Sequence, residues 1–582
     1  MMNKNVVPEE QQKASSDSLA LAANATNAPT IAAPQVLGAV EDSARAKGIF
    51  RQQESLNDQL YTLENDLFKL TFNNKGGRLQ NATLKKYKTH DGKPVVLLDG
   101  EQNRFNYQFF TAGNLVETQH YWFSPIQSPQ KLVFRLYADS VSYVEQSYAV
   151  KEGSYVIDYE FKLVGFEQKM AAQSPITLNW QTNLIGQEMT ADNERYNTGI
   201  YFREKDESYD YLSETADDAR KSEKGVEWVS FKQQFFNQTL IAKESFGTAQ
   251  MSIKQPADLA SSVLETASAT INMEYNAASN FAVPMQLYVG PNHYQTLNRM
   301  GRELNRIIPL GWGIFGMVNK FIMIPLFNFF SKYISSYGLI IFLLTLVIKL
   351  VLFPLSYRSS MSMAKMNILK PEVEEIKQKY KDDSQRQQLE IMQLYGKAGA
   401  SPLGGCIPQL IQLPILIGMY RFFPVSIELR QQPFLWAKDL SSYDSILNLP
   451  FTIPAYGNHV SLFCILSAVS TFAMTRMTSQ MTPTTGGDND NIMATQMKMM
   501  QWLMPFMLLF FFNSTASGLT YYFFLSNVIS FVQQWVIKNY FIDEDKLHKQ
   551  IQEKKNQAPK ASSFQQRLEE MLQEQSRKQG KS

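Results

Sequence analysis

The chain has 582 residues, of which 44% are hydrophobic and 19% are charged, and its 56 basic and 54 acidic residues give a formal net charge of +2 at pH 7. This length exceeds one ordinary domain. The balanced charge, with basic residues not interleaved with aromatic ones, argues against a nucleic-acid-binding protein. The mean hydropathy of -0.25 conceals an asymmetry, because long apolar runs are concentrated between residues 310 and 540. We therefore expect a membrane α-helical bundle joined to a polar domain.

The cysteines and histidines are not arranged for metal or redox chemistry. Cys406 and Cys464 both lie in apolar segments, so the polar half has no thiol for a disulfide. The five histidines lack zinc-ligand spacing, and no glycine-rich phosphate loop precedes a lysine. We expect no metal, no cofactor and no catalytic residue, and so no enzymatic activity.

The first 300 residues divide into a tether and a β-domain. Residues 1–55 are rich in Gln, Ala, Ser, Asn and Pro without periodicity, which is typical of a disordered tether. From residue 56 to 300, hydrophobic and polar residues alternate, most clearly between Tyr155 and Leu163, which predicts half-buried strands. Similar runs are Phe68/Leu70/Phe72, Phe134/Leu136 and Ile176/Leu178/Trp180. An antiparallel all-β sandwich is the prediction for 56–300.

The apolar half begins with an aromatic segment and continues with five stretches of membrane-spanning character. Residues 301–336 mix aromatic residues with Lys320, Pro325 and Lys332, which favours an amphipathic helix lying along the membrane surface; a sixth span is the alternative. The five predicted spans are 337–357, 404–424, 459–475, 499–513 and 517–538. The third and fourth are too short for a ~30 Å hydrocarbon core, so we expect local thinning of the bilayer.

Loop charges predict the orientation of these spans. Basic residues crowd the loop 358–403, whereas the loop 425–458 carries only Arg430 and Lys438. The loop 358–403 is therefore predicted to be cytoplasmic, together with the loop 476–498 and the basic tail 539–582. The β-domain then lies outside, and because no signal peptide is evident in 1–55, we expect a further N-terminal span that this sequence lacks.

Lys349 is a basic residue deep within the first predicted span. It lies about eight residues, or roughly 12 Å, from the cytoplasmic end, farther than a lysine stem can snorkel. Such residues normally face a bundle interior or a water-filled cavity. None of the five spans contains Asp or Glu, so an internal ion pair is excluded, and Lys349 is expected to be hydrated, hydrogen-bonded to neutral groups, or neutral.

Polar residues on the other predicted spans are candidates to surround this lysine. Thr345 and Ser356 share its helical face, and Gln412 and Ser530 have the same depth of roughly 12 Å. The remaining candidates are Gln409, Ser470, Thr471, Ser526 and Asn527. We predict a shared cationic groove open to the cytoplasm, although the serines and threonines could simply pack helices together. The absence of carboxylates argues against a proton- or sodium-coupled transporter.

Several segments of the apolar half resemble the YidC/Oxa/Albino family of membrane-protein insertases. They are 363–366 (MAKM), 369–372 (LKPE), 401–415 (SPLGGCIPQLIQLPI), 425–433 (VSIELRQQP), 481–485 (MTPTT) and 517–522 (SGLTYY). Weaker matches at 73–78 (NNKGGR) and 289–291 (VGP) are similar to the extracytoplasmic domain of Gram-negative bacterial members, which implies a β-supersandwich.

The resemblance adds expectations about individual parts of the chain. It implies that 358–403 forms a helical hairpin over the groove and that Tyr522 contacts substrate. The family often has arginine where Lys349 stands, and tyrosine can occur where Phe523 stands, so contact from Phe523 is less expected. Lysine keeps the charge but loses bidentate carboxylate geometry.

Together these features predict a membrane-protein insertase and folding chaperone. We expect it to move nascent membrane proteins into the lipid of the bacterial inner membrane, alone or with the Sec translocon, with its β-domain in the periplasm. The basic tail would permit contact with the ribosome. A small-solute transporter or channel is the alternative, and a sugar-sensing receptor is a third possibility that would need paired carboxylates and a histidine in one pocket.

Overall fold

The structure is a computed structural model. It describes residues 49–50, 57–98, 100–171, 173–275, 281–381, 383–400, 407–454, 456–481 and 492–555. Within α-helices, the side chains of Ser384, 407–409, 479–481, 492–498 and 500–501 are outside this description. Of the predicted tether 1–55, residues 49–50 are described, and the rest of it and most of the predicted tail fall outside the described residues.

The β-domain contains nineteen of the strands in the described chain. They are β1 Leu60–Glu64, β2 Phe68–Asn73, β3 Arg78–Lys88, β4 Pro94–Leu98, β5 Arg104–Thr111, β6 Asn114–Glu117, β7 Ser124–Ser128, β8 Lys131–Tyr137, β9 Tyr143–Val150, β10 Val156–Val164, β11 Pro175–Ile185, β12 Gly199–Glu204, β13 Tyr209–Tyr211, β14 Asp218–Ser222, β15 Val226–Lys232, β16 Phe236–Ala242, β17 Ala249–Lys254, β18 Val263–Glu274 and β19 Phe281–Pro291. Two further strands, β20 Leu447–Ile453 and β21 Gly457–Val460, form a separate hairpin.

These strands form a sandwich of antiparallel sheets, as the alternating sequence predicts. A nine-stranded sheet has the order β13-β12-β15-β16-β19-β10-β9-β8-β7, and a six-stranded sheet has the order β14-β17-β18-β11-β5-β6. The two sheets face each other across ring contacts such as Trp180 with Phe231, whose centroids are 3.8 Å apart. A third sheet, β1-β2-β3-β4, packs on the same core, where Phe72 lies 4.6 Å from Tyr148. The fold class predicted for this half is confirmed.

Strand β10 shows the predicted alternation residue by residue. Ile157, Tyr159, Phe161 and Leu163 are buried, and the residues between them are partly exposed. Because side chains of a strand point alternately to its two faces, one face of β10 lies in the core and the other does not.

One acidic side chain is buried in this sandwich without a hydrogen-bond partner. Glu265, on β18, is 0% exposed, and neither of its carboxylate oxygens is hydrogen-bonded in the described structure. Burial raises the pKa of Glu265 to about 9, although Arg195 opposes the shift. The folded state therefore holds a proton that the unfolded chain releases above its ordinary pKa near 4.5. Stability from this group is present at low pH and falls as pH rises from 4.5 towards 9.

Replacing Glu265 with glutamine tests this sign. Glu265→Gln keeps the shape but cannot ionise, so its melting temperature should match that of the parent chain at pH 5 and exceed it by a few degrees at pH 8.5. A domain of this size shifts by about 2–4 °C for each kcal/mol. Thermal unfolding at both pH values measures the difference. An equal shift at both pH values would show that ionisation of Glu265 is irrelevant.

The described chain also contains twelve α-helices. They are α1 Ala191–Tyr196, α2 Tyr294–Met300, α3 Gly313–Val318, α4 Ile324–Ser331, α5 Tyr337–Ile368, α6 Lys370–Lys379, α7 Ser384–Ala398, α8 Ile407–Phe422, α9 Leu462–Met481, α10 Ile492–Phe512, α11 Ser517–Val536 and α12 Glu544–Lys555. A π-helical turn, Asn319–Met323, joins α3 to α4, and another, Ile537–Phe541, follows α11.

The helices of the apolar half differ in length from the predicted segments. In the segment 301–336, the long helical stretch runs from Gly313 to Ser331. Before it, Gly301 and Gly311 have positive φ angles of 75° and 97°, which interrupt a regular helix. By length and hydropathy, two described segments could cross a membrane: Gly313–Ser331 and Tyr337–Ile368. The first of these keeps the sixth-span alternative open, so an orientation along the surface stays a prediction.

The third and fourth predicted spans correspond to helices longer than expected. Helices α9 and α10 have 20 and 21 residues, which reach about 30 Å. Helix length alone therefore does not require a thinner bilayer. The apolar stretches identified within the described residues are shorter, Leu462–Thr478 and Trp502–Phe512, or about 26 and 17 Å.

A buried arginine joins the β-domain to the helical bundle. Arg430, from the loop after α8, is 2% exposed; it donates from Nε to Glu188 Oε1 at 2.7 Å and from Nη2 to the Lys88 carbonyl at 2.6 Å. Its guanidinium also lies 5.1 Å from the Phe236 ring. Gln234 of the β-domain donates to the Pro424 carbonyl at 2.6 Å. These contacts fix the β-domain against the start of the loop.

Lysine should be a poor substitute for this arginine. Arg430→Lys keeps the charge, but a lysine ammonium cannot bond to Glu188 and to the Lys88 carbonyl in the way a planar guanidinium does. We therefore expect the free energy of unfolding to fall by about 1–2 kcal/mol. Hydrogen exchange of peptides covering 423–432 should increase. Lys438→Arg, an exposed residue of the same loop, is the matched control and should leave exchange unchanged. Unchanged exchange in Arg430→Lys would show that the fork is dispensable.

The predicted cytoplasmic hairpin is helical and packs against the C-terminal helix. Helices α6 and α7 form a small core with the end of α5, and Leu547 and Ile551 of α12 are buried in it. Lys555 Nζ lies 2.6 Å from Glu372 Oε2. Gly399 ends α7 with a φ of 61° and leaves room for Lys554, whose Nζ would lie 3.1 Å from an added Cβ. This contact with α12 was not predicted from the sequence.

At the end of the bundle opposite to the hairpin, the buried carboxylate of Asp444 accepts hydrogen bonds at the N-terminus of α9. Asp444 is 2% exposed and accepts hydrogen bonds from the backbone N–H groups of Leu462 and Phe463 at 2.9 and 3.0 Å. It also accepts from the Trp436 indole at 2.8 Å and from the Ser461 hydroxyl. A helix start has unpaired N–H groups and a partial positive charge, so Asp444 stabilises α9 from a distant part of the loop.

Candidate functional site

Lys349 faces the interior of the helical bundle. It lies on α5 on the same face as the buried Ile341, Leu344, Thr345 and Ile348, and it is 4% exposed. The opposite face carries Leu350 and Val351, which are 58% and 73% exposed. Residues three and four positions apart share one side of a helix, so this burial follows from the helical period.

Two neutral side chains from other helices contact the Lys349 ammonium. Its Nζ donates to Gln412 Oε1 of α8 at 3.0 Å and to Ser530 Oγ of α11 at 2.7 Å. Gln412 Nε2 in turn donates to Ser526 Oγ at 3.0 Å. Equal predicted depth thus corresponds to direct contact for Lys349, Gln412 and Ser530. We call Lys349, Gln412, Ser526 and Ser530 the lysine site.

A glutamine outside the predicted set also touches this site. Gln533 Nε2 donates to the Lys349 carbonyl at 2.9 Å. The sequence could have indicated Gln533, because it lies on α11 one turn after Ser530 and therefore on the same side of that helix.

A second polar cluster joins α9 to α11. Asn527 Nδ2 donates to Thr471 Oγ1 at 2.7 Å and to Ser470 Oγ at 3.2 Å. Both hydroxyls also donate to the carbonyl of Ser467 in their own helix. These three predicted residues therefore contact each other and hold two helices together, which is the helix-packing alternative.

None of the other predicted residues whose side chains are described contacts the Lys349 ammonium. Thr345 and Ser356 donate to carbonyls four residues earlier in α5, those of Ile341 and Leu352. Tyr522 is 1% exposed, and its hydroxyl is hydrogen-bonded to Ser526, a member of the lysine site. Its ring centroid is 6.2 Å from that of Phe423. The side chain of Gln409 is outside the described residues.

The electrostatics of the lysine site are unusual for a buried cation. Within the described chain, Lys349 contacts neutral oxygens and no carboxylate. An ammonium group has three N–H donors, and only two of them are used here. Removing a charge from water without a counter-ion is costly. The site is therefore suited to attract an anion into the bundle.

Comparison with known proteins identifies relatives along nearly the whole chain. Residues 60–329 match the family described as YidC periplasmic domain, and residues 329–545 match the family described as 60Kd inner membrane protein. A membrane protein insertase YidC from Parabacteroides distasonis is 36% identical over 553 residues, covering 91% of this chain and 86% of that protein.

A second relative also matches most of the chain, and one solved structure has limited similarity to it. A membrane protein insertase YidC from Porphyromonas gingivalis is 34% identical over 597 residues, covering 97% of this chain and 94% of that protein. A crystal structure described as an active YidC insertase with the first transmembrane domain resolved is 18% identical, covers 86% of this chain and 98% of its own, and has a TM-score of 0.30. The evidence for relationship lies in the sequence matches.

Proposed function

Because this chain belongs to the YidC family of membrane protein insertases, we propose that it receives hydrophilic segments of nascent membrane proteins at the lysine site. The chain is an insertase and not an enzyme, its substrates are membrane proteins, and it works in the lipid bilayer of the inner membrane. The proposal concerns how this chain's own residues take part.

One observation carries the proposal. Lys349 is buried in the bundle with neutral partners from α8 and α11, and it lacks a carboxylate partner among the described residues. An acidic residue of a client would supply the missing counter-ion, and the unused ammonium N–H would donate to it. Gln412 and Ser530 would keep the ammonium hydrogen-bonded before the client arrives and after it leaves.

The energy for insertion would come from the client. Burying the client's apolar span in lipid is favourable by about 25 cal/mol per Å², so no nucleotide hydrolysis is needed. The short apolar stretches of α9 and α10 support a thinner hydrocarbon barrier beside the site. Since Lys349 is 4% exposed, the bundle must open towards the cytoplasm to admit a client.

The hairpin α6–α7 is the element proposed to control this opening. It continues from α5, the helix that carries Lys349, and it packs on α12. In the proposed orientation the hairpin and the C-terminus lie in the cytoplasm and the β-domain lies in the periplasm. We place the Sec translocon and the ribosome among the partners, with the basic tail as the region nearest the ribosome.

Site-specific photocrosslinking tests the proposal without removing Lys349. A photoreactive amino acid at Ser530 should crosslink a stalled nascent chain when an acidic residue of its translocated segment reaches the bundle. Val532, on the same helix and 50% exposed, is the matched control facing away from the site. Crosslinks at 530 that depend on the client's acidic residue support the proposal. Crosslinks at 532 alone would contradict it.

A further inference from the structure

A large cavity lies between the β-domain and the helix α3. It has a volume of about 700 Å³, within the range of sites that hold small molecules. We call it the outer cavity and define it by the lining residues Tyr201, Glu214, Arg306, Trp312, Lys320 and Arg421. It is separate from the lysine site, and nothing in the proposed insertion mechanism uses it.

A close helix contact places two of these cations on the same wall. Asn319 Nδ2 donates to the Gly418 carbonyl of α8 at 2.7 Å and to the Leu310 carbonyl at 2.7 Å. A Cβ on Gly418 would lie 3.2 Å from Asn319 Oδ1, so this position needs a small residue. Lys320 follows Asn319 and Arg421 lies about one turn after Gly418, so both cations border the contact.

The outer cavity has an excess of positive charge. Among the described residues, neither Lys320 nor Arg421 forms an ion pair, and Lys320 Nζ lies 5.5 Å from the Phe321 ring. Glu214 is the one carboxylate among the described lining residues. Its Oε1 accepts from the buried Lys232 Nζ at 3.2 Å and from the Tyr201 hydroxyl at 2.8 Å, so its charge is already balanced.

The rim of the cavity is apolar and exposed. Trp312, Met317 and Phe321 are 73%, 53% and 66% exposed, although each lines the cavity. Tryptophan is enriched where a membrane meets water, and the helical segment Gly313–Ser331 is apolar enough to contact lipid. Cations inside and apolar side chains at the rim match a molecule with an anionic head and hydrocarbon chains.

We propose that the outer cavity binds the headgroup of an anionic phospholipid from the leaflet next to the β-domain. Lys320 and Arg421 bind the phosphate, and arginine suits this role because its planar fork matches phosphate oxygens. Trp312, Met317 and Phe321 contact the upper parts of the acyl chains. A bound lipid would thereby bridge the β-domain and the bundle at a position where protein contacts leave a gap.

Native mass spectrometry of the full chain tests this proposal. The purified protein is delipidated in detergent and titrated with phosphatidylglycerol, and the fraction carrying one lipid is measured. The double variant Lys320→Gln/Arg421→Gln should bind about tenfold more weakly than the parent chain. Lys332→Gln, an exposed residue just after α4, is the matched charge control and should bind as the parent does.

Two further arms distinguish the source of the anion. Glycerophosphoglycerol, the same headgroup without acyl chains, should bind much more weakly than the lipid, because the apolar rim would go unused. Equal affinity for this headgroup would overturn the lipid assignment. Equal lipid binding by the double variant and the parent would overturn the assignment of the lipid to the outer cavity. Binding of an acidic peptide that the double substitution abolishes, with lipid binding unaffected by the same substitution, would assign the cavity to a protein segment instead.

Discussion

Replacing Lys349 with leucine is expected to reduce insertion of client proteins with acidic translocated segments by about tenfold, which corresponds to about 1.4 kcal/mol. An ion pair at about 4 Å, in surroundings with an effective dielectric constant of about 20, is worth about 4 kcal/mol, so a third of that interaction suffices. Lys349→Leu should fold about as well as the parent, because the removed cost of burying the cation offsets the hydrogen bonds lost by Gln412 and Ser530. Protease protection of clients in proteoliposomes measures insertion.

Two controls separate attraction from a general loss of function. Lys349→Arg keeps the charge and should retain most activity, whereas Gln412 and Ser530 would have to adjust to the larger group. A client whose translocated segment has its Asp and Glu replaced by Asn and Gln should be inserted equally by Lys349→Leu and the parent. Equal impairment for acidic and neutral clients would contradict a role in attracting carboxylates.

Removing the Asp444 carboxylate should cause the largest loss of stability among the substitutions considered. Asp444→Ala leaves two backbone N–H groups of α9, the Trp436 indole and the Ser461 hydroxyl without their acceptor. Each buried donor without a partner costs about 1–3 kcal/mol. Because the surrounding structure relaxes in part, we expect Asp444→Ala to lower the free energy of unfolding by about 3–5 kcal/mol in total. Thermal unfolding in detergent, with a shift in the emission of Trp436, measures the effect.

Another aspartate of the same loop provides the comparison for Asp444. Within the part of the chain that the structure describes, the Asp439 carboxylate accepts hydrogen bonds from Ser441 alone, from its backbone N–H at 2.8 Å and its hydroxyl at 2.7 Å, within a local turn. Asp439→Ala should therefore cost less than about 1 kcal/mol. The loss of stability in Asp444→Asn should lie between those of Asp439→Ala and Asp444→Ala, because asparagine keeps one acceptor oxygen and replaces the other with an NH2 donor. Similar losses for Asp439→Ala and Asp444→Ala would show that Asp444 is not specific to α9.

The strands of the β-domain could be predicted because the alternation of hydrophobic and polar residues is visible within each strand. Alternation along β10 and β11 identifies strands and their buried faces without knowledge of their neighbours. The order of strands in the nine-stranded sheet was not predictable, since β16 and β19 pair across a long stretch of chain. Helix ends were also missed: α9 and α10 continue through polar residues that hydropathy excludes, because helical hydrogen bonding does not stop where apolar residues do.

The lysine site was predictable in part for a similar reason. Depth along a helix follows from residue number, which placed Lys349, Gln412 and Ser530 at one level before their contacts were known. Rotation about each helix axis does not follow from depth. Thr345 and Ser356 were therefore placed on the helical face of Lys349, but their hydroxyls donate to backbone carbonyls of their own helix. Arg430 and Asp444 act between distant segments, and no spacing in the sequence indicated their contacts, although Arg430 lies in the family-like segment 425–433.

The packing of α12 on the hairpin has a consequence for how this chain is made. Lys555 and Glu372 are 183 residues apart, so the hairpin leaves the ribosome well before its partner helix is synthesised. At 5–20 residues per second, that interval lasts about 10–40 s. Throughout it, the hairpin core lacks the wall formed by Leu547 and Ile551, while α8 to α11 are still entering the membrane. The side of the bundle that carries the hairpin can thus be completed only after α12 has been synthesised.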